Sequence, residues 1–318
     1  MAINVIMPSY NGAGYLGAQL DSLRHQTLRP SKVLVRDDGS VDATKLMLNR
    51  WAKDWPTLEV VDDNREHLGV TASIHQLLRE VAKQPGAALT AFADQDDVWL
   101  PEKLERAAEW HATVDRTEGR TEGRTGGRHR PALYCAGALL ADQKMQLLGQ
   151  APIWCRPMSL HNALVENVAL GCTIVINQPA LELLTKDWPT SVIAHDWWAY
   201  LVVAAHGGAM HYDPRPALHY RQHDRNAIGY MPSVAGRWRR RLARLTGGHL
   251  PPLFKQARGL LTAYEDTMST EAKAVLHQFL QRASGWPRLA ALINPVGQRQ
   301  RGLDNLALRL LMASGSIK

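Results

Sequence analysis

The sequence has few of the features that would cross-link a protein or anchor it in a membrane. Its 318 residues include only three cysteines. They are widely spaced and form no CxxC pair, so we expect buried thiols and neither a disulfide framework nor a zinc site. No apolar run approaches the ~20 residues of a membrane-spanning helix. The opening MAINVIMPSYNG has no basic region ahead of an apolar stretch, so we expect no signal peptide. These absences predict a protein of the reducing cytoplasm.

Acidic residues are missing from one long stretch of the chain. Residues 225–264 contain eight basic side chains and no acid, while the whole chain has a formal net charge of +7. Such a block is typical of a nucleic-acid-binding surface, of an anionic membrane contact or of a solvated helix face. Its aromatic residues are sparse, whereas nucleic-acid-binding surfaces interleave aromatic and basic side chains. Nucleic-acid binding therefore stays a remote alternative.

A regular alternation of strand and helix signals fills the chain up to about residue 100. Strands are predicted at 3–7, 32–36, 58–61 and 87–93, with helical spacing between them. In the second predicted helix, 41–53, Ser40 is a plausible N-cap. This alternation predicts an α/β fold with a mainly parallel sheet flanked by helices. In such sheets, ligands bind beyond the carboxyl ends of the strands.

The second half of the chain has a different character. Strand signals at 132–140, 168–177, 209–212 and 217–221 surround a helix predicted at 194–205, and from Ser233 onward the signals are helical. We therefore predict a catalytic domain over residues 1–230 and an α-helical C-terminal region over 231–318. Residues 117–128, TEGRTEGRTGGR, form a degenerate repeat that predicts a surface loop or disordered insertion.

Three polar motifs stand at predicted strand ends: PSYNG (8–12), DDGS (37–40) and DQDD (94–97). The last places Asp94, Asp96 and Asp97 within four positions, with no lysine or arginine after them before Lys103. A polar turn ahead of a helix is one explanation, and a bound divalent cation is the other. Because the fold would bring all three motifs to one edge of the sheet, we favour the cation.

Three segments, in this order and spacing, resemble the family 2 inverting glycosyltransferases of GT-A fold: MPSYNGAGYL (7–16), VRDDGSVDAT (35–44) and FADQDDVWLPEKL (92–104). The resemblance covers roughly residues 3–230. The later segments GCTIVIN (171–177), HDWW (195–198) and HYRQHDRNAIG (219–229) look like the rhamnosyltransferase subgroup. The resemblance implies a metal-dependent transfer of L-rhamnose from dTDP-rhamnose onto a hydroxyl of a bacterial surface glycan. A UDP-hexose donor, with galactose or glucose, is the alternative, because recognition through N3 does not separate thymine from uracil.

The resemblance also implies how the donor is bound. Asp38 would accept the N3–H of a pyrimidine base, and Pro8 and Tyr10 would contact that base. Asp96 would bind Mg²⁺ or Mn²⁺, which are hard ions held by carboxylate and phosphate oxygens. Asp94 would lie near the ribose or the metal. For Asp37 the alternatives are a ribose contact and a turn cap, and Asp97 is expected to cap the helix that begins near Pro101.

Further roles are implied for residues of the later segments. Asp196 matches the family's catalytic base, and its alternative is a helix N-cap. His223 would complete the metal shell or serve a structural role. Arg221 or Arg225 would pair with the diphosphate beneath a closing lid.

An amphipathic stretch at 233–245 carries an apolar stripe beside several arginines. It would lie on an anionic membrane or pack on the catalytic domain. Two partners are expected, a nucleotide-sugar donor and a saccharide or lipid-linked saccharide acceptor. The expected location is the cytoplasm, with peripheral contact at the inner face of the cell membrane if the stripe binds lipid.

Overall fold

The computed structural model describes residues 1–65, 67–84, 86, 88–122, 129–223 and 251–317. The chain divides into two compact units, each assembled from several segments. The first comprises Met1–Ile153, Ala169–Lys186 and Gly208–Arg221; the second comprises Trp154–Val168, Asp187–Gly207 and Gln222–Lys318. The functional division that we predict at residue 230 stays a prediction.

One sheet forms the centre of the first unit. Its strands are β1 (Ile3–Ser9), β2 (Lys32–Asp37), β3 (Leu58–Val61), β4 (Leu89–Phe92), β5 (Val98–Trp99), β6 (Ala132–Ala141), β7 (Leu147–Gln150), β8 (Val175–Asn177) and β9 (Ala209–Arg221). They lie in the order β3-β2-β1-β4-β8-β6-β9-β5, and β7 pairs with β6. The first four strands run parallel, as do β6 and β9, and the other pairs are antiparallel.

Helices cover the sheet in the first unit and make up most of the second. Those of the first unit are α1 (Leu16–Arg24), α2 (Thr44–Asp54), α3 (Gly69–Ala82), α4 (Lys103–Glu122) and α6 (Gln178–Leu184). Those of the second are α5 (Leu160–Ala163), α7 (His195–Ala205), α8 (Leu253–Tyr264), α9 (Thr270–Leu280) and α10 (Gly302–Ala313). Short 3-10 helices occur at Gly171–Thr173, Gln281–Ala283 and Trp286–Leu292. The predicted α/β class and the helical C-terminal region are confirmed.

Alternating strand side chains separate the two faces of the sheet. Val5 and Met7 of β1 are fully buried in one core with Leu16 and Leu20 of α1. Ile6 lies between them in sequence and therefore points to the opposite face, where α3 packs on β1 and β2. The parallel strands are thus buried on both sides, which explains their nearly continuous apolar sequence.

The strand register brings the predicted motifs to one edge of the sheet. Ser9 at the end of β1 pairs with Asp37 at the end of β2, and Ile6 pairs with Phe92 of β4. The Asp38 N–H donates to the Ser9 carbonyl at 2.7 Å. The loops after β1, β2 and β4 therefore begin side by side, as the alternation of strands and helices predicts.

Several local predictions are wrong in instructive ways. Residues 117–122 of the repeat continue α4, because its Glu, Arg and Thr residues tolerate a helix in spite of Gly119; residues 123–128 lie outside the described part of the chain. β9 is one strand whose register with β6 shifts between Ala136 and Leu139, where two short strands are predicted. α2 begins at Thr44, so Ser40 is not its cap. Cys155 is exposed, whereas Cys135 and Cys172 are buried as expected.

The core of the second unit is built around α7. All eleven residues of this helix are buried. The Tyr200 hydroxyl accepts from the Ser159 N–H at 2.9 Å and lies 3.0 Å from Oδ1 of Asn162. The Trp197 indole N–H donates to the Ala163 carbonyl at 2.6 Å. These bonds fix α7 against α5. Among the described residues, none of the helices combines the length and apolar character needed to cross a membrane.

The pH dependence of stability should report on one buried imidazole. His111 of α4 is 1% exposed, and its Nε2 donates to the Val175 carbonyl at 3.2 Å. Burial lowers the pKa of His111 to about 4, whereas an unfolded histidine titrates near pH ~6.5. Below that pH the His111 imidazole takes up a proton in the unfolded chain, whereas in the folded chain it stays neutral. Stability should therefore be full above pH ~6.5 and fall towards pH ~4, by at most roughly 3 kcal/mol.

Urea unfolding at a series of pH values checks this expectation. His111→Gln keeps an amide donor for the Val175 carbonyl and should reduce the slope between pH ~6.5 and ~4, while the buried His195 keeps its own share. His25→Gln, at an exposed position, serves as the matched control and should leave the slope unchanged. Equal slopes in wild type and His111→Gln would contradict the assignment.

Candidate active site

The amide of Gln95 joins the end of β1 to the acidic loop. Its Oε1 accepts from the Ser9 hydroxyl at 2.8 Å and from the Tyr10 N–H at 2.9 Å. Its Nε2 donates to the Tyr10 carbonyl at 3.0 Å. A side chain at Gly12 would collide with the same amide, which explains the glycine. Gln95 is not among the residues predicted from the sequence, and its place between two acids of DQDD is the signal that could have found it.

Asp37 closes the turn after β2. Its carboxylate accepts from the Ser40 N–H at 2.9 Å and from the Ser40 hydroxyl at 2.5 Å. Of the two alternatives for this residue, the turn cap is the one that the structure shows. The Ser40 hydroxyl also accepts the Asn11 N–H at 2.8 Å, so the turn supports the loop after β1.

Asp38 is held by a dense set of donors. It is 6% exposed, and its Oδ1 accepts from Arg36 at 2.7 Å and from the Leu68 N–H at 2.8 Å, while Oδ2 accepts from the Gly69 N–H at 2.8 Å. Burial opposes ionisation, but these bonds outweigh it and hold the pKa of Asp38 below its usual value. A carboxylate offers about four acceptor positions. Three are used, and the remaining one on Oδ2 can accept a ligand N–H.

The guanidinium of Arg36 lies beneath Asp38. It is completely buried, and its Nε donates to Asp63 at 3.0 Å. It also donates to the Ser73 hydroxyl at 2.9 Å and to the Arg65 carbonyl at 2.7 Å. These bonds satisfy a buried cation and fix the orientation of the Asp38 carboxylate.

Tyr10 and Pro8 flank the same edge. Pro8 lies in β1, whose residues are all buried, whereas Tyr10 is 47% exposed. The Tyr10 ring meets His67 edge to face at a centroid distance of 5.9 Å. The exposed part of this ring is available to an aromatic ligand.

The acidic loop contains one carboxyl that is unlike its neighbours. Asp97 is fully buried, while Asp94 and Asp96 are partly exposed. Oδ1 of Asp97 accepts the Arg221 N–H at 3.2 Å, and its Oδ2 has no hydrogen-bond donor within the part of the chain that the structure describes. Burial, together with the charges of Asp94 and Asp96, raises the pKa of Asp97 well above its usual value. Asp97 therefore does not cap α4, contrary to our expectation.

One lysine, Lys103, is the first residue of α4 and is buried. Its ammonium is buried, donates to the Cys172 carbonyl at 2.8 Å and lies 2.7 Å from the centre of the Trp99 ring. Burial lowers the pKa of Lys103, and the charges of Asp97 and Asp94 oppose that change. Lys103 therefore belongs to the same buried region as Cys172 and Asp97.

The donor atoms of the loop fit a hard divalent cation. A carboxylate oxygen of Asp94, one of Asp97 and the sulfur of Cys172 lie within 4.8 Å of one another. Carboxylate oxygens suit Mg²⁺ or Mn²⁺, whereas a thiol is a soft ligand that suits neither ion. Asp96, the predicted ligand, stands beside this group in sequence, and its role stays a prediction.

Arg221 lies at the acidic loop. Its Nε donates to the Asp96 carbonyl at 2.8 Å, its Nη1 donates to the Gln143 carbonyl at 2.7 Å, and the guanidinium carbon is 4.9 Å from the centre of the Tyr15 ring. His223 belongs to the second compact unit. Arg225 lies outside the described residues. The proposed roles of all three in diphosphate or metal binding stay predictions.

Asp196 lies in the first turn of α7 in the second unit. It is 8% exposed, and its Oδ1 accepts the Trp197 N–H at 2.7 Å. The N-cap residue is Ala194, so the alternative that Asp196 is the cap itself is wrong. The neighbouring His195 is also buried, and burial lowers its pKa while the Asp196 charge opposes that effect.

Known proteins share both the sequence motifs and the fold. The family described as "Glycosyl transferase family 2" matches residues 4–117. The dTDP-rhamnosyl transferase RfbG of Shigella flexneri is 22% identical over 241 residues, which cover 74% of this chain and 77% of that protein. The crystal structure of S. aureus TarS 1–349 with UDP aligns with a TM-score of 0.54 at 14% identity, over 92% of this chain and 75% of that one.

A second solved structure is the mannosyltransferase PcManGT from Pyrobaculum calidifontis in complex with GDP-Man and Mn²⁺. It aligns with a TM-score of 0.51 at 20% identity, over 98% of this chain and 85% of that one. These structural likenesses show the GT-A fold, and the family match together with the sequence relatives shows a glycosyltransferase. Residues 4–117 match the family 2 glycosyltransferases, in agreement with the resemblance noted in the sequence.

A double-mutant cycle can measure how strongly Lys103 and Asp97 depend on each other. Lys103→Met removes the buried cation and should lower the free energy of unfolding by about 3 kcal/mol, because a buried carboxyl loses its compensating charge. Asp97→Asn in the same chain should recover part of that loss. Urea unfolding gives the values, and Lys45→Met, at a lysine whose side chain is 52% exposed, is the control. Strictly additive losses would show that the two groups are independent.

Proposed function

We propose that this glycosyltransferase moves a sugar from a pyrimidine-nucleotide donor to a saccharide hydroxyl, with inversion and with a divalent metal. The observation that carries the proposal is the single edge of the sheet at which Asp38, Tyr10 and the Asp94–Asp97 loop lie together. A base, a ribose and a diphosphate are joined in that order in a nucleotide sugar. Asp38 would accept an N–H of the base. The carboxylates of the Asp94–Asp97 loop would hold a metal ion at the diphosphate.

Base recognition falls to the first two loops. The remaining acceptor position of Asp38 would take the N3–H of the pyrimidine, and the surrounding donors keep this carboxylate ionised and fixed. The exposed face of Tyr10 and the main chain at Pro8 would contact the ring. This arrangement accepts thymine and uracil equally, because the two bases share N3.

Diphosphate binding falls to the acidic loop. Asp96, with Asp94 near the ribose or the metal, would hold Mg²⁺ or Mn²⁺, and His223 would complete the ligand set. When bound, the ion neutralises the charge that develops on the departing diphosphate. Arg221 and Arg225 would pair with phosphate oxygens, and the side-chain bonds that Arg221 makes to two carbonyls orient it for that role.

Transfer requires a base on the acceptor side of the sugar. The carboxylate of Asp196 would take the proton of the acceptor hydroxyl as its oxygen bonds to the anomeric carbon. The bond from that carbon to the diphosphate oxygen breaks on the opposite face, so the configuration inverts and the nucleoside diphosphate leaves with the bonding electrons. The bond from the Trp197 N–H orients the Asp196 carboxylate for this step.

The proposed donor is dTDP-rhamnose, and the alternative is a UDP-hexose such as UDP-galactose or UDP-glucose. RfbG, a relative across 74% of this chain, is named as a dTDP-rhamnosyl transferase, which supports rhamnose. The TarS complex with UDP shares only the fold.

The proposed acceptor is a saccharide or lipid-linked saccharide in bacterial surface polysaccharide biosynthesis, and the proposed location is the cytoplasm at the inner face of the membrane. Membrane contact through 233–245 belongs to this proposal, although that stretch lies outside the described residues. Most of the basic block behind the nucleic-acid alternative also lies outside the described residues, and a glycosyltransferase gives that alternative no support.

A donor panel tests the nucleotide and metal assignments together. We expect nucleotide release from dTDP-rhamnose to require Mg²⁺ or Mn²⁺ and to stop with chelator. Asp96→Ala should lower kcat/KM about a hundredfold or more, because the bound ion contributes several kcal/mol to the transition state. Asp54→Ala, at an exposed position on α2, should be silent. Full turnover by Asp96→Ala at saturating donor would refute the metal assignment.

The base assignment needs a separate variant. Asp196→Asn keeps the size and the acceptor oxygen but removes the basic carboxylate, so kcat should fall about 10²- to 10⁴-fold. Donor affinity, measured by calorimetry, should hardly change. The exposed Asp187 provides the matched Asp→Asn control in the same unit. Normal transfer by Asp196→Asn would mean that another group takes the proton.

A further inference from the structure

The C-terminal end of the second unit exposes an unusual amount of apolar surface. Fifteen large hydrophobic residues of the described chain are exposed, and seven of them fall between positions 286 and 310. We call these seven side chains the C-terminal apolar surface: Trp286, Leu289, Leu292, Ile293, Leu303, Leu306 and Leu310. Single exposed hydrophobic residues are ordinary, whereas a cluster of this size marks an interaction site.

The exposed side chains come from two elements that pack on each other, α10 and the 3-10 helix Trp286–Leu292. Leu308, Leu311 and Met312 of α10 are buried. The exposed leucines of the same helix recur at intervals of three and four and so form the opposite stripe. Trp286, which begins the neighbouring 3-10 helix, and Ile293, which follows it, are 85% and 83% exposed. α10 therefore has two apolar stripes. One is buried within its unit, and the other is not covered by the described part of that unit.

The charges around this surface are nearly all of one sign. Residues 282–310 contain five arginines, at 282, 288, 299, 301 and 309, and a single acid, Asp304. Nη1 of Arg309 donates to the Leu292 carbonyl at 3.1 Å, which places a guanidinium of α10 against the 3-10 helix. The guanidinium of Arg288 approaches Gly315 just beyond α10. Cationic heads thus border the apolar side chains.

The apolar side chains and the arginines around them together indicate which kind of partner binds this surface. A second copy seated on the same surface by two-fold symmetry would bring the two sets of arginines together, and that repulsion disfavours a dimer. An anionic lipid surface offers the opposite charge at the arginines and an apolar layer for the leucines. Tryptophan is the side chain that lies best at such a boundary.

We propose that the C-terminal apolar surface docks this enzyme on an anionic membrane. α10 would lie in the plane of the interface with Leu303, Leu306 and Leu310 among the acyl chains, and Trp286 would lie at headgroup level. The proposal does not depend on the identity of the donor. It is also distinct from the contact suggested for 233–245, because it rests on other residues.

Vesicle flotation of the full chain tests the proposal. We expect the protein to float with vesicles of equal parts phosphatidylcholine and phosphatidylglycerol, and to do so far less with phosphatidylcholine alone. Trp286→Ser with Leu306→Ser should reduce partitioning about tenfold or more, because two large apolar side chains lose their burial. Arg288→Gln and Arg301→Gln should each reduce it about fivefold, and high salt should act in the same direction.

The control exchanges exposed leucines elsewhere. Leu46→Ser with Leu147→Ser, at side chains that are 73% and 61% exposed in the first unit, should float like wild type. Release of nucleotide from the donor without vesicles should be equal in all these variants. This assay tests the proposed function independently of membrane binding. Flotation that survives Trp286→Ser with Leu306→Ser would overturn the proposal. Sedimentation that shows a dimer abolished by the same pair, without vesicle binding, would also overturn it and assign the surface to a second copy.

Discussion

Buried cations compensate the carboxylates at the edge of the sheet, and the geometry of the site depends on that compensation. Arg36 is completely buried and binds Asp38 from below. Lys103 is equally buried, and its charge interacts with those of Asp97 and Asp94. An acid at a strand end would otherwise turn towards water or take up a proton. Arg36 keeps Asp38 ionised and in place before any ligand arrives, whereas burial and the neighbouring acids raise the pKa of Asp97 in spite of Lys103.

The two cations reach the edge of the sheet in different ways. Arg36 comes from β2 itself, two residues before Asp38, and its backbone is fixed by the hydrogen bonds of the strand. Lys103 comes from α4, so its position depends on how that helix packs under the sheet. The proposed base-binding side therefore derives from local sequence, and the proposed metal-binding side derives from tertiary structure.

Local periodicity in the sequence predicts most of the first unit. The strand–helix alternation up to residue 100 and the meeting of three motifs at one edge are confirmed. Periodicity does not reveal contacts made across long separations, such as Gln95 with Tyr10 or Lys103 with Cys172. The helical residues 117–122 are predicted as a loop for another reason, because the low complexity of the repeat masks the helix propensity of Glu and Arg.

Gln95 has a further consequence for how related chains can differ. One side-chain amide satisfies Ser9 and Tyr10, and it occupies the space that a side chain at position 12 would need. The loop after β1 and the loop after β4 therefore share one fixed volume. A relative with a larger residue at position 12 would need the side chain at position 95 to move or to be shorter. The two positions should covary across the family even though more than eighty residues separate them in sequence.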